Sequence, residues 1–458
     1  MVSDTSTPRP RVRRSIRRLV LWVGPVLSLI VAWQIWDAVE ARRLALEVAR
    51  VFPRGTVPAT ARPEIEDDAA PYYAAALVAA NGRGPTFDQR QRDAMLAATE
   101  LPQEVEVTVS RVLARNELAL RLMEEGSRRP YERLPPGVEP RYRIGSGMGL
   151  SRAAGARTLD LLRRGDADAS AASLFARVRY LRALDPPTML SAMVKTADLS
   201  AIATDTALLL SRSRVADGRL AELEEALRDV YASDELASAA DELGRTILVE
   251  MRSRYRTLRS LGNGVVILTR PALQHQTVGL LQTTADAVAA ARLPWPERLR
   301  AVNRLQDRRS PILERLQPLF RSGAFGIAEE LKRLTTTTGS GLAAARCARM
   351  AAAIERYRVA GGAFPERLED VPLRGDATDA YIDPFTGQPL RYVRDDEGYT
   401  LYSLGSNVSD DGGKLIGDVA PGRTTPTLPP PDIGVRVRDY RLAAATNASN
   451  SARNSPVR

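Results

Sequence analysis

The chain is short of the residues on which much enzyme chemistry relies. Among 458 residues there is one cysteine, Cys347, and one histidine, His275. A single cysteine excludes an intramolecular disulfide and any cysteine-rich zinc site. A single histidine excludes sites needing two His ligands and leaves one residue for every Ser-His or Cys-His scheme. No base-orienting partner for His275 is legible in the sequence. Aromatic residues make up 5% of the chain, which suits Ala/Leu-rich helical packing better than a large sandwich or barrel. Lysine is nearly absent, with only Lys195, Lys332 and Lys414 among 65 basic residues.

A pI near 10 invites a nucleic-acid reading, but the charge is badly placed for one. Residues 1–18 hold six arginines against one acid, Asp4, and so supply +5 of the net +10. Elsewhere acids and bases are interspersed, as on solvated helix faces. A nucleic-acid binder concentrates positive charge on a folded face or interleaves it with aromatics. Neither pattern is present, and no nucleic-acid partner is expected.

Directly after the arginines comes LVLWVGPVLSLIVAWQIW, Leu19 to Trp36, without a charge. Eighteen residues at about 1.5 Å rise nearly span a ~30 Å hydrocarbon core. Trp33 and Trp36 stand where an interfacial aromatic belt belongs. Residues 19–36 are therefore expected to be an uncleaved transmembrane anchor, since Val39-Glu40-Ala41 is a poor signal-peptidase site. The arginine-rich stretch 1–18 would stay in the cytoplasm and the bulk of the chain would face the periplasm of a bacterial inner membrane. Gly264–Gln282 does not qualify as a second span, because Arg270, His275 and several polar residues interrupt it.

Residues 37–334 read as a helical periplasmic domain, a bundle or irregular array. Leu220, Leu223, Leu227 and Val230 share one helical stripe, and Leu174, Val178 and Leu181 another. Gly165-Asp166 marks a turn between helices, and breaks are expected at Pro53–Pro63, Asn81–Pro85, Arg129–Gly149, Asp185–Pro187 and Leu293–Pro296. Gly145-Ser146-Gly147-Met148-Gly149 fails the dinucleotide spacing and lacks a Walker lysine, so it reads as an interhelical loop. Acids in Glu64–Asp68 complement a helix N-terminus. Cys347, Met350, Ile354 and Tyr357 share a core stripe.

Thr335–Gly341, TTTTGSG, reads as a linker or helix-entry segment. A second module over 342–440 comes next. Its helix closes at Gly361-Gly362, a turn falls at Asp383-Pro384, and strands are expected near Leu390–Val393 and Tyr399–Ser403 around a tight loop. Asp432–Tyr440 alternates enough to return as one more strand. Residues 441–458 read as a disordered tail. The fold class is thus mainly α, with an N-terminal transmembrane helix, a helical bundle or irregular array, and a small α+β terminal domain with a short antiparallel sheet.

The order ERYRVAGGAFPERLEDV, DPFTGQPLRY, YTLYSLGSN, DDGG is similar to the globular domain of type II secretion major pseudopilins. It resembles still more closely large, uncharacterised envelope proteins of environmental bacteria such as planctomycetes. The likeness is specific over about residues 343–413. It implies that the loop after LYSLG binds calcium through the carbonyls of Leu404 and Ser406 and the side chains of Asn407, Asp410 and Asp411. Calcium takes six to eight oxygen ligands, which such a loop can offer. Asn407 stands where pseudopilins usually carry Asp. Taken without the likeness, the same residues read as Asx turns capping their own backbone. The chain departs from pseudopilins in lacking the prepilin-peptidase site and a Glu within Leu19–Trp36, so it is not expected to polymerise as a pilus subunit.

The expected role is a non-catalytic envelope protein whose terminal domain meets a protein partner, such as secretion or pilus-type machinery. Two alternatives stand beside it. A hydrolase would have to run on carboxylates such as Glu64, Asp67 or Glu355 in a deep cleft. A peptidoglycan- or polysaccharide-binding module would display Tyr392, Tyr399 and Tyr402 on an exposed sheet face.

Overall fold

A computed structural model describes residues 11–51, 69–80, 87–97, 101–129, 140–183, 189–228, 230, 236–237, 240, 263–307, 324–374, 379–415 and 432–439. Glu64, Asp67 and the tail 441–458 lie outside these residues. The helices are α1 (Arg11–Val51), α2 (Ala70–Ala79), α3 (Gln89–Ala97), α4 (Gln103–Ser127), α5 (Pro140–Arg163), α6 (Ala167–Ala183), α7 (Met189–Arg212), α8 (Asp217–Arg228), α9 (Asn263–Ala291), α10 (Glu297–Asp307) and α11 (Ala324–Gly361). Strands β1 (Arg391–Asp395), β2 (Gly398–Ser403) and β3 (Ile433–Arg438) form one antiparallel sheet in the order β1-β2-β3. The fold is therefore mainly α with a small antiparallel sheet, as the sequence implies.

The chain divides into two compact units, one of residues 1–61, 241–286 and 311–327 and the other of residues 62–240, 287–310 and 328–458. In the first unit α1 and α9 run parallel, held by a polar seam. Arg270 meets Asp37 at 3.5 Å, His275 meets Glu40 at 3.2 Å, and Gln282 donates to Glu47 at 3.1 Å. The near-constant sequence offset of these pairs fixes the parallel direction. Leu19–Trp36 lies inside α1, with the side chains up to residue 27 outside the described residues. Among the described residues no helix is long and apolar enough to cross a membrane.

In the second unit the apolar stripes read from the sequence are buried together. Leu174, Val178 and Leu181 of α6 and Leu220, Leu223 and Leu227 of α8 are all at most 2% exposed. At the Gly165-Asp166 turn, Gly165 takes φ 82° and Asp166 caps α6 by accepting the Ala169 N–H at 3.0 Å. Two expectations from the sequence need correction. Gly145–Gly149 is not an interhelical loop but part of α5. Thr335–Gly341 is not a linker but the interior of the 38-residue α11. A helix tolerates such residues when its neighbours use them. Ser340 returns its hydroxyl to the Thr336 carbonyl, and Thr337 offers its carbonyl to Thr196 of α7 at 2.9 Å. A Cβ at Gly339 would lie 3.1 Å from the Trp295 and Phe385 rings, so close packing there calls for the smallest residue.

The polar centre of this unit is Arg177 of α6, 2% exposed. It donates to Asp205 of α7 at 3.0 Å, to Asp198 of α7 at 3.1 Å and to Ser151 of α5 at 2.9 Å. Arg92 of α3 completes Asp205 with bonds at 2.6 and 3.2 Å. A Cβ on Gly155 would sit 3.0 Å from the Arg177 guanidinium, so α5 leaves room for it. Asp198 is less well served: its Oδ2 is buried without a hydrogen-bond partner. Burial raises its pKa, opposed chiefly by the charge of Arg177.

The terminal sheet is built onto the same body. Arg356 of α11 and the Arg374 N–H both bond Glu224 of α8, a carboxylate with a fully buried side chain. The Arg438 N–H of β3 donates to Ser211 of α7 at 2.9 Å. One continuous core runs from Tyr73 and Leu77 through Leu174 and Leu220 to Ile354, Leu401 and Val437.

Removing one member of a buried ion cluster leaves the others uncompensated, so Asp205→Ala is expected to cost about 3–5 kcal/mol in chemical denaturation. Asp198→Asn is expected to change stability by less than about 1 kcal/mol. A raised folded-state pKa means that the Asp198 contribution is present in acid and lost as pH rises through that value. The asparagine variant should therefore compare more favourably with wild type at pH 7.5 than at pH 4.5.

Candidate cation-binding loop

The loop after β2 is set by Asp383, only 2% exposed, in the turn before β1. Its Oδ1 accepts the Phe385 N–H and the Ser403 hydroxyl, both at 2.8 Å, and its Oδ2 accepts the Leu404 N–H at 3.0 Å. Ser403 in turn accepts the Gly405 N–H at 3.1 Å. One buried carboxylate thus anchors both ends of the segment that carries the Leu404 peptide.

Beyond it the chain curls through left-handed backbone at Gly405, Val408, Gly412 and Gly413. Glycine adopts such φ values freely, but for the β-branched Val408 at φ 55° the conformation is a strained one. Inside the curl, Asn407 accepts the Ser409 N–H at 3.2 Å and Asp410 accepts the Gly412 N–H at 3.0 Å, both Asx turns. Asn407 also donates its amide to Asp411 at 3.1 Å, and Tyr402 donates its hydroxyl to Asp410 at 3.0 Å. Burial and this contact with Asp410 push the Tyr402 hydroxyl up to about 12.

Asp432, just before β3, closes the site from the far side. It is 0% exposed, and its Oδ2 accepts the Gly413 N–H at 2.8 Å. Its Oδ1 is buried with no hydrogen-bond partner. Burial raises the Asp432 pKa, and the charges of Asp411 and Asp410 add to the rise.

The loop implied as a calcium site therefore offers hard oxygens and an orphaned buried carboxylate oxygen, which is the chemistry calcium favours. The charges of Asp411 and Asp410 both act on Asp432. Asn407 and Asp410 also make the Asx turns that the bare sequence suggests. Among the described residues no three His, Cys, Asp or Glu converge as a metal-holding group. Asp383 and Asp432 were not legible as site residues in the sequence. The first shows only as part of an Asp-Pro turn, and the second stands far along the chain from the loop and carries no local signal.

The tyrosines expected to bind saccharide do not form an exposed platform. Tyr399 is 1% exposed and donates to the Ala351 carbonyl, and Tyr402 is 4% exposed. Tyr392 is half-buried on the core and donates its hydroxyl to the Pro365 carbonyl. These rings are core, with Tyr399 packed on Phe364 at 5.2 Å and on Tyr392 at 5.6 Å. Of the carboxylates named for catalysis, Glu355 is fully buried and paired with Arg358. His275, which showed no partner in the sequence, meets Glu40. Cys347 is fully buried and burial raises its pKa, which keeps it as thiol.

Asp383→Ala leaves three donors without their acceptor and is expected to cost about 2–4 kcal/mol in urea denaturation, while Asp383→Asn retains part of the network and costs less. No family model, curated protein or solved structure matches the chain.

Proposed function

We propose that this chain is a non-catalytic single-pass envelope protein. Leu19–Trp36 anchors it in a bacterial inner membrane with residues 1–18 in the cytoplasm. The helical body stands on the periplasmic side and presents the terminal α+β module to a protein partner, with secretion or pilus-type machinery the class that the module resembles. Exposed apolar residues along the anchor helix support the first part, among them Leu29 at 70%, Val31 at 50% and Ile35 at 59%. The buried pairing of Glu355 speaks for a structural role of that acid rather than acid-base work.

The single observation that carries the reading is the way the module is built onto the helices. Glu224 takes bonds from Arg356 and Arg374, and Ser211 takes one from Arg438. A module fixed at several points to a helical platform can hold a docking surface in place. Calcium at the loop would be held by Asp410, Asp411, Asn407 and Asp432 with the carbonyls of Leu404 and Ser406. Its part would be to order the docking loop.

Because module and body share one core, the test uses the full chain in detergent. Calorimetric titration with calcium is expected to show one site, lost in the Asp410→Ala/Asp411→Ala double variant and weakened at least about tenfold in Asp432→Asn, since each carboxylate removed takes a negative charge from the site. A folded wild-type chain that gives no heat and no calcium-dependent rise in Tm would sink the metal assignment.

A further inference from the structure

We propose that the outer edge of β1 is a self-recognition site, to which β1 of a second copy of this chain adds antiparallel about Val393. The pairing requires neither the membrane anchor nor a bound cation.

A three-stranded sheet has two edges, and this chain treats them differently. The β3 edge faces the helical body, where the Arg438 N–H donates to Ser211, and Asp432 is bridged by Leu415. At the β1 edge the Leu390 N–H donates to the Tyr381 carbonyl at 2.7 Å, and among the described residues that cover stops there. The two-residue turn Asp396-Glu397 sets which groups of β1 point toward β2. Residues flanking such a turn exchange both main-chain bonds, so Asp395 with Gly398, Val393 with Thr400 and Arg391 with Tyr402 are the hydrogen-bonded pairs. Tyr392 and Arg394 therefore turn their N–H and C=O groups away from β2. Among the described residues none pairs with these groups. An open edge of this kind is a template for another strand.

The sequence of the edge selects the occupant. Read antiparallel about its centre, Arg391-Tyr392-Val393-Arg394-Asp395 is complementary to itself. Tyr392 falls opposite Arg394 of the second copy, and the two outward residues exchange main-chain bonds, twice over by symmetry. Arg391 falls opposite Asp395 of the second copy, again twice, placing opposite charges at the cross-strand distance where they stabilise a sheet. Val393, 52% exposed, meets its own copy on the two-fold axis. Sliding the register by two residues toward the turn sets Arg394 against its own copy. Sliding it the other way brings the pairing onto Leu390, whose N–H is already taken. The charged groups can re-pair: Arg391 holds Asp410 only at 3.6 Å, and although Asp395 Oδ1 accepts the Glu397 N–H at 2.9 Å within the turn, its Oδ2 holds Arg438 only at 3.5 Å.

The one native thiol is buried, so Val393→Cys introduces a single accessible cysteine on the two-fold axis. In a non-hydrogen-bonded antiparallel pair the Cα atoms lie about 4.5 Å apart, within disulfide reach. Full-length Val393→Cys is oxidised in native membranes and in detergent and run without reductant. Val408→Cys, 51% exposed on the neighbouring loop, serves as the collision control. Disulfide-linked dimer is expected to form about tenfold faster at position 393 than at 408. Arg391→Asp or Asp395→Arg in the Val393→Cys background should return the rate to the control level, and the double charge reversal should restore it. Arg394→Pro, which deletes an outward N–H without touching the β1–β2 ladder, should also abolish the enhancement while leaving the melting curve largely unchanged. Equal rates at 393 and 408, or charge reversals that do not rescue one another, would overturn the proposal.

Discussion

Arg177 lies where water cannot solvate it, so the helices around it have to supply its anions. Asp205 and Asp198 come from α7 and the hydroxyl of Ser151 from α5, while Arg92 of α3 balances the doubly used Asp205. A buried cluster of this kind contributes little net stability over a well-packed apolar core, but it punishes misalignment severely. It fixes the rotation of α7 about its own axis. That rotation in turn aims Ser211 at β3 and Thr196 at the Thr337 carbonyl of α11. The position of the sheet on the body is thus tied to an ion cluster in the helical interior.

Much of the fold was legible because it rests on local signals. Apolar residues three and four apart located the buried stripes of α6 and α8, and Gly165-Asp166 and Gly361-Gly362 marked helix ends through a left-handed glycine at each. The hairpin was legible from its tight loop. Local signals mislead where composition and context disagree. TTTTGSG resembles a linker when taken alone, yet the Ser340 hydroxyl bonds within the helix and Gly339 lies against the Trp295 and Phe385 rings. Gly145–Gly149 likewise resembles a loop taken alone and yet lies inside α5. Propensity is a weak prior, and tertiary contacts override it.

The candidate site divides along the same line. Asn407, Asp410 and Asp411 are close in sequence, so their chemistry showed in the sequence. Asp383 and Asp432 reach the loop from outside it, and their burial comes from sheet formation rather than from any pattern of neighbours. Tyr392, Tyr399 and Tyr402 illustrate the opposite error. Alternation along a strand says that two faces differ but not which of them is dry. Here α11 and Phe364 cover the face that bears Tyr399.

The pairing of Glu224 also bears on the order in which the chain can mature. During synthesis α8 emerges more than a hundred residues before Arg356 and Arg374, its two sources of hydrogen bonds in the terminal module. Until those residues arrive, packing α8 into its final place would strand a carboxylate away from water, at a cost of several kcal/mol. The helical body therefore cannot settle fully ahead of the module. A chain cut short by premature termination or proteolysis would leave Glu224 without the two module donors it has in the full fold.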